Sequence, residues 1–526
     1  GASKTLIKKG WKISLADQGI WSAVKNLSTT ALNDYQPTLK RSGPSALKQQ
    51  KVCANCHSRR SELQQADVSK NYNDTHKLRL LESPLYHADG QIQDEVYVYG
   101  SFLQSKMHTE GVTCSNCHNP HSLKLKGVPV TAGVSNNNHD SNPVCAQCHN
   151  TDAFDTPEHY HHPQDSKGAQ CVNCHMPATT YMGVDPRRDH SLRIPRPDLS
   201  SITGSPNACI QCHSDQQNSW ASKAIDSWLK QSGKTLPVHS FAETFNRIDN
   251  VDASAAPDLM RIARDPKLPE IVRATAALKH DSFYRHEDID NLKRLLADPS
   301  PLVRTGAVTS TQAMPAEMRY GLLTSLLDEK VLSVRLEIAR NLADIPLNEM
   351  PVKEAVLIQT LFDDFVSSSR FNADLPEAQV MLGLFYIGRQ DYAAAEAAYQ
   401  QALLLAPKYE GALLNLADLY RGMGRDSDAE PLLKRAISAA PTSVNSRYAL
   451  GLLYIRQNKT SAAAEQLLTA SELQYDNPIY AYTYALILER QQKVAAAILY
   501  LQRWTEHNPA NPQLQQVLAS LQRKKP

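Results

Sequence analysis

The residues best suited to chemistry in this 526-residue chain are its ten cysteines, all of which fall in five Cys-x-x-Cys-His pentapeptides. They are Cys53, Cys56 and His57; Cys114, Cys117 and His118; Cys145, Cys148 and His149; Cys171, Cys174 and His175; and Cys209, Cys212 and His213. Two thiols at this spacing can add to the two vinyl groups of one haem, and the adjoining imidazole then lies where it can bind the iron from one face. Because 18 of the 526 residues are His, one follows a given CxxC by accident about 3% of the time, and five in five is not an accident of composition. Zinc sites need two such half-sites or other ligands close by, and do not require His directly after the second Cys. A redox CxxC stands alone at a helix start within a βαβ pattern, and no such pattern surrounds these motifs. Cysteines so close in sequence rarely bridge each other outside redox motifs. The pattern predicts five covalently bound c-type haems, each with one motif His on its iron.

Each iron then needs a sixth ligand, whose identity separates an electron carrier from a catalyst. Fourteen of the 18 histidines lie between His57 and His213, leaving nine once the motif ligands are assigned. Five of them lead. His121 follows the Asn119-Pro120 turn and is placed to reach a neighbouring haem. His108 precedes Cys114 by six residues, and His162 closes the run His159-Tyr160-His161-His162 nine residues before Cys171. His190 stands beside Asp189, a carboxylate that could orient its other ring nitrogen. His87 has in Tyr86 an aromatic neighbour suited to packing on a porphyrin. His76, His139, His159 and His161 come after these, while His239, His280, His286 and His507 fall in a helical half where surface or packing roles are expected. Met107, Met176 and Met182 are thioether alternatives that would raise a potential. Arg187, Arg188, Arg193 and Arg196 read either as a solvated basic face or as bidentate partners for propionates.

The elements that must hold these groups differ between the two halves of the chain. Cys53 to His213 offers 161 residues for five cofactors, about 32 each, which is less than a separate core around each one requires. The haems are expected to supply that core, packed close together and wrapped by short irregular segments. The region is accordingly rich in Asn, Asp, Pro, Gly and Ser, with turn signals such as Asp89-Gly90. Beyond about Ser214 the pattern changes to amphipathic helices. Val272-Arg273, Val303-Arg304 and Val334-Arg335 recur every 31 residues, two of them after Asp265-Pro266 and Asp298-Pro299, as stacked helical hairpins need. This resembles short HEAT-type repeats. A cleaner period of 34 follows: Leu382, Leu416, Leu450 and Tyr484; Gly383, Ala417, Gly451 and Ala485; Tyr386, Tyr420 and Tyr454; Ala395, Ala429, Ala463 and Ala497. Pro407, Pro441 and Pro509 close units of one length, with Tyr475 at the missing proline position. That pattern resembles the tetratricopeptide repeat, with units near 376–409, 410–443, 444–477 and 478–511. These Tyr, Leu and Ala stripes read as core packing.

The predicted fold is mainly α: an irregular, haem-packed multihaem cytochrome domain over residues 1–215, a helical linker over 216–254, HEAT-like repeats over 255–350, and four tetratricopeptide repeats over 351–526. No stretch approaches the apolar length of a membrane span. The formal charge of +2 describes the bare chain, and ionised propionates would carry the loaded protein to about −3 oxidised and about −8 reduced, which argues against nucleic-acid binding. The chain begins Gly1-Ala2-Ser3-Lys4 with no apolar leader, so an export signal is expected to have been removed or to lie outside it. Haem c is attached after export, which places the protein in the periplasm or outside the cell.

The motif spacing, with Cys171-Val172-Asn173-Cys174-His175-Met176-Pro177 and Cys114-Ser115-Asn116-Cys117-His118-Asn119-Pro120-His121, resembles multihaem cytochromes c related to hydroxylamine oxidoreductases and pentahaem nitrite reductases, in particular bacterial members with a tetratricopeptide tail. The resemblance covers about residues 50–215 and, separately, the repeats. It implies further haem motifs upstream of Gly1, with some distal ligands supplied from there. Nitrite reductases of this group mark their catalytic haem with a CxxC-Lys that this chain lacks. Hydroxylamine oxidation uses a tyrosine crosslinked to haem, and neither Tyr160 nor Tyr181 can be given that part from the sequence. The leading expectation is therefore an exported electron carrier with mostly bis-His haems, whose helical repeats dock a redox partner protein or other copies of the chain, as an oligomer or filament. The alternative is an oxidoreductase of small nitrogen or sulfur oxo-species at one open haem.

Overall fold

A computed structural model of the chain describes residues 43–67, 69–120, 124–126, 142–236, 240–283, 285–475, 477–508 and 511–523. His121, His139 and His239 lie outside the described residues. The protein is mainly α-helical, and among the described residues the few strands form two small antiparallel sheets. β1 (Arg60–Glu62) pairs with β2 (His76–Leu78), and β3 (Ala178–Tyr181) pairs with β4 (Asp185–Arg188). Among the described residues no helix is long and apolar enough to cross a membrane. The molecule divides into two compact units. The first runs to Leu342 and resumes over Leu347–Phe365, and the second comprises Ala343–Pro346 with the chain from Val366 onward.

The first unit joins the motif-bearing segment to a stack of helical hairpins. Its helices include Ala256–Arg264, Glu270–Lys279, Pro301–Thr309, Leu332–Asn341 and, as far as Phe365, the long Val352–Phe371. The 31-residue period has a physical basis. Val272, Val303 and Val334 are fully buried, and the arginine after each one reaches forward to a carboxylate: Arg273 to Asp298, Arg304 to Glu329 and Arg335 to Asp364. Each also donates to a backbone carbonyl behind it, those of Ala263, Asp298 and Glu329. A planar guanidinium can serve both directions at once, so the ladder ties consecutive hairpins together. The motif-bearing segment is fastened to this stack by the Lys77 ion pair to Glu337, by Asp74 accepting from the Leu332 N–H (3.0 Å) and by the Leu81 N–H donating to Thr275 (3.1 Å).

The second unit is a regular array of helix pairs. First helices span Pro376–Gly388, Glu410–Gly422, Val444–Arg456 and Pro478–Arg490, so their starts are 34 residues apart. Each is followed by a second helix: Tyr392–Leu405, Asp426–Ala439, Thr460–Leu473 and Val494–His507. A last helix, Pro512–Arg523, covers the end. The small-residue period marks where the two helices of a pair meet. A Cβ on Gly383 would sit 2.3 Å from the Tyr399 ring, and one on Gly451 would sit 2.8 Å from Leu467. The tyrosine stripe does more than pack. Tyr420 and Tyr454 bury their rings and donate their hydroxyls to Glu396 (2.8 Å) and Glu430 (3.4 Å) of the preceding unit. At the position where proline is missing, the Tyr475 carbonyl accepts from the buried Trp504 indole at 2.6 Å.

Candidate cofactor-binding site

Every motif makes about one helical turn, which sets its two thiols three residues apart on one face. The Gly43–His57 helix ends on the first motif, Cys114–Cys117, Cys171–His175 and Ala208–Cys212 carry the second, fourth and fifth, and the third begins in Asn142–Ala146, with Cys148 in the turn that follows. In the second, third and fifth motifs the His N–H donates to the carbonyl of the first Cys, 2.9 Å in each case. That bond closes the turn and fixes where the imidazole leaves the backbone. Local polar groups hold the turns: Thr113 and Asn116 form a reciprocal cap, Asn207 accepts from the Ile210 N–H (3.1 Å), and Asn142 accepts from the Cys171 N–H (2.9 Å).

The motifs touch one another in chain order. The first and second meet where Gln49 donates to Ser115 (2.5 Å) and Gln50 to the Val112 carbonyl (2.9 Å), and Cys53 lies beside Cys114. The second and third are joined through Lys126, whose N–H donates to the Cys117 carbonyl (2.9 Å) and whose own carbonyl accepts from Gln147 (3.5 Å). Asn142 bridges the third and fourth, where Cys145 lies beside Cys171. The Cys171–His175 helix then packs on Ala208–Cys212.

Among the described residues three pairs of imidazoles lie close together. His118 and His190 have ring centroids 6.2 Å apart with planes 25° from parallel, His159 and His175 are 6.2 Å apart at 13°, and His162 and His213 are 6.0 Å apart at 36°. An imidazole nitrogen binds a metal at about 2.0 Å and lies about 1.1 Å from its ring centre, so two imidazoles on opposite sides of one ion have centroids about 6.2 Å apart. The observed centroid distances, 6.0 to 6.2 Å, match that separation. Protonation fits as well. Nδ1 of His175 lies 2.9 Å from the Arg193 carbonyl, Nδ1 of His190 lies 2.9 Å from the Arg188 carbonyl, and Nδ1 of His162 lies 2.5 Å from the Tyr160 carbonyl. A carbonyl can only accept, so Nδ1 carries the proton and Nε2 is left as the ligand atom. Burial, aided by neighbouring imidazoles and opposed at His190 by the Arg188 carbonyl and Asp189, lowers the pKa of His190, His118 and His159, which favours the neutral ring that ligation needs. Packing points the same way. Between Leu103 and Leu199, prolines aside, only Tyr160, Ala169 and Tyr181 are buried apolar side chains among the described residues, so this stretch lacks the hydrocarbon core its length calls for. Among the described residues there is also no group of three or more His, Cys, Asp or Glu suited to a bare metal ion.

Other sequence expectations meet a different geometry. His190 does not use Asp189 as its orienting partner. Asp189 is buried and turned the other way, accepting from the Ile92 N–H (3.1 Å), Ser101 and the Ser191 N–H (2.7 Å). The four arginines are not a solvated face, because each is bonded to protein. Arg187 pairs with Glu95 and Asp185, Arg193 with Asp89, and Arg196 with Asp198. Arg188 donates to the carbonyls of Val172 and Met176 and to Asn173, capping the fourth motif helix. His87 sits half-buried in a turn, its N–H on the Gln91 carbonyl (2.8 Å), and His108 sets its ring edge-on to Phe102 at 5.5 Å. His57 lies near His118 and His190, and His149 near His175 and edge-on to Phe154. His76 is buried, stacked on Tyr72 at 5.2 Å and bonded to Thr75, and burial lowers its pKa to about 4. His159, placed behind the five leading candidates in the sequence, is one of the paired imidazoles. Its ring partner lies 16 residues away in the fourth motif, and only the fold joins them.

Comparison with known proteins bears on the second unit. Two family models of the tetratricopeptide repeat match residues 386–449 and 448–512. The chain thus carries tetratricopeptide repeats, a type of domain that points to binding other proteins. Solved structures similar to it include MamA from Desulfovibrio magneticus RS-1 (19% identity, 34% of this chain and 97% of that one, TM-score 0.27) and YrrB, a TPR protein with an unusual peptide-binding site (16%, 39% and 98%, TM-score 0.27). A thermophilic TPR protein of Thermus thermophilus is similar at 20% identity over 36% of this chain and 98% of that one, with a TM-score of 0.26. No curated protein sequence matches the chain.

Proposed function

We propose that this protein is an exported multihaem c-type cytochrome that carries electrons along five closely spaced haems and docks a redox partner, or another copy of itself, through its helical repeats. The observation that carries this reading is the set of three imidazole pairs, each joining a motif His to a second His at the spacing of two ligands about one metal. The ten motif cysteines would hold the porphyrins through thioethers, and His57, His118, His149, His175 and His213 would take one face of each iron. On the opposite face His190, His159 and His162 would serve the second, fourth and fifth motifs. Haem iron supplies one-electron exchange between ferric and ferrous states. The chain would contribute the imidazoles that hold the groups, and contacts between successive motifs that would keep transfer distances short. Covalent haem attachment places the mature protein in the periplasm or outside the cell.

The test is the haem content of full-length protein produced with a cytochrome c maturation system. Five haems per chain by pyridine haemochrome, with low-spin spectra, are expected. A colourless protein with the mass of the bare 58.4 kDa chain overturns the proposal. An iron that binds nitrite or hydroxylamine in the native protein moves the reading to an oxidoreductase.

A further inference from the structure

We infer that Gly168 and Trp228 are positioning residues that pin His162 opposite His213 and so keep the fifth iron closed to external ligands; this rests on the haem reading above. His162 belongs to a turn that no regular element supports, yet it is held from three sides. Its Nδ1–H donates to the Tyr160 carbonyl at 2.5 Å, which fixes the ring's rotation. Gly168 forms the floor beneath the ring: a Cβ there would sit 2.3 Å from both Cγ and Cδ2 of His162 and 2.8 Å from its Cβ. Those are ring and stem atoms with no flexible end to swing aside, so any side chain at position 168 must push the imidazole away. The third hold is on the neighbouring residue. His161 has a left-handed backbone (φ 54°), unusual for a residue with a Cβ, and its ring stacks flat on Trp228 with centroids 4.1 Å apart and planes 13° from parallel.

Trp228 is carried by the Asn218–Gln231 helix, which leaves the fifth motif directly. The same helix presents Trp220 to the ring of His213, centroids 4.9 Å apart. One rigid rod therefore braces both imidazoles of the pair, His213 through Trp220 and the His161-His162 turn through Trp228. Eight residues of helix separate the two tryptophans, about 12 Å along the axis. The spacing of the ligand pair is thereby set by a helix rather than by the turn that carries His162.

The experiment compares the full-length matured protein with Gly168→Ala, Trp228→Leu and His162→Ala, and with Gly321→Ala, where a Cβ meets nothing within 4 Å. Haem content is read separately from spin state. Gly168→Ala is expected to keep the native haem count while one haem in five becomes high-spin and binds carbon monoxide. His162→Ala should give the same signature, the double variant Gly168→Ala with His162→Ala should add nothing to it, and Trp228→Leu should show a smaller fraction of the same signal. Gly321→Ala should match the native spectrum. Gly168→Ala with full haem and a spectrum unchanged from that of the native protein overturns the inference. If that variant does not mature, Trp228→Leu decides on the same criterion. A native chain without haem overturns the underlying reading instead, so the two failures are distinguishable.

Discussion

At the scale of single residues the histidines that lie between motifs differ from one another in what surrounds them. His159 has the fourth-motif imidazole facing it at 6.2 Å, whereas His76, equally a histidine between two motifs, is stacked on Tyr72 and bonded to Thr75. Replacing each by alanine separates ligation from packing. His159→Ala should keep all haems and expose one iron to carbon monoxide, read as a shift in the ferrous spectrum. His76→Ala should leave the spectrum unchanged and lower unfolding stability by about 1–3 kcal/mol, read by chemical denaturation. The spacing of the thiols is plain in the sequence because it is local, one helical turn per motif. The opposing imidazoles are not, because His118 and His190, or His162 and His213, are brought together by long excursions of chain that carry no periodic signal. Asp189 shows the same limit: adjacency in sequence suggests a bond to His190, but the backbone sends the carboxylate to Ser101 and Ile92.

Among the elements, helix pairs translate sequence period into contact. The 34-residue repeat was legible because small residues must recur wherever two helices cross closely, and the helix starts at 376, 410, 444 and 478 follow it. What the period does not reveal is how hard each crossing is to fill. At Gly383 an added methyl meets the face of the Tyr399 ring, whereas at Gly451 it meets the branched end of Leu467, which can rotate. Gly383→Ala should therefore cost about 1–3 kcal/mol through overpacking. Gly451→Ala should be near neutral, since relief of the glycine penalty of about 1 kcal/mol offsets a small rearrangement. Thermal unfolding of the two variants followed by circular dichroism checks the order.

For the first unit as a whole, the join between the motif-bearing segment and the hairpin stack depends on a buried carboxylate. Glu337 is buried, which alone would raise its pKa, yet Lys77 and Arg340 hold it down to about 2 from an ordinary 4.5, and Thr309 donates to it at 3.0 Å. A carboxyl depressed on folding contributes stability above its unfolded value and loses it as pH falls through the folded one. The stability gap between the native protein and Glu337→Gln should be largest above pH 4.5 and close as pH falls toward 2, measured by urea unfolding at a series of pH values. A gap independent of pH sinks this account. Sequence alone could not foretell this joint, because Lys77 and Glu337 are 260 residues apart.

The arginine ladder has an asymmetry with a consequence for how such a chain can grow. Arg273 and Arg304 each close on a carboxylate 25 residues ahead, but Arg335 closes on Asp364, 29 residues ahead on the long Val352–Phe371 helix. The last rung is thus fitted to a terminator rather than to another copy of the unit. An in-frame duplication of residues 299–329 would leave every guanidinium with an acceptor at its accustomed offset, whereas lengthening the array beyond Arg335 would strand that residue from Asp364. Insertion from within is the route by which this scaffold can gain length.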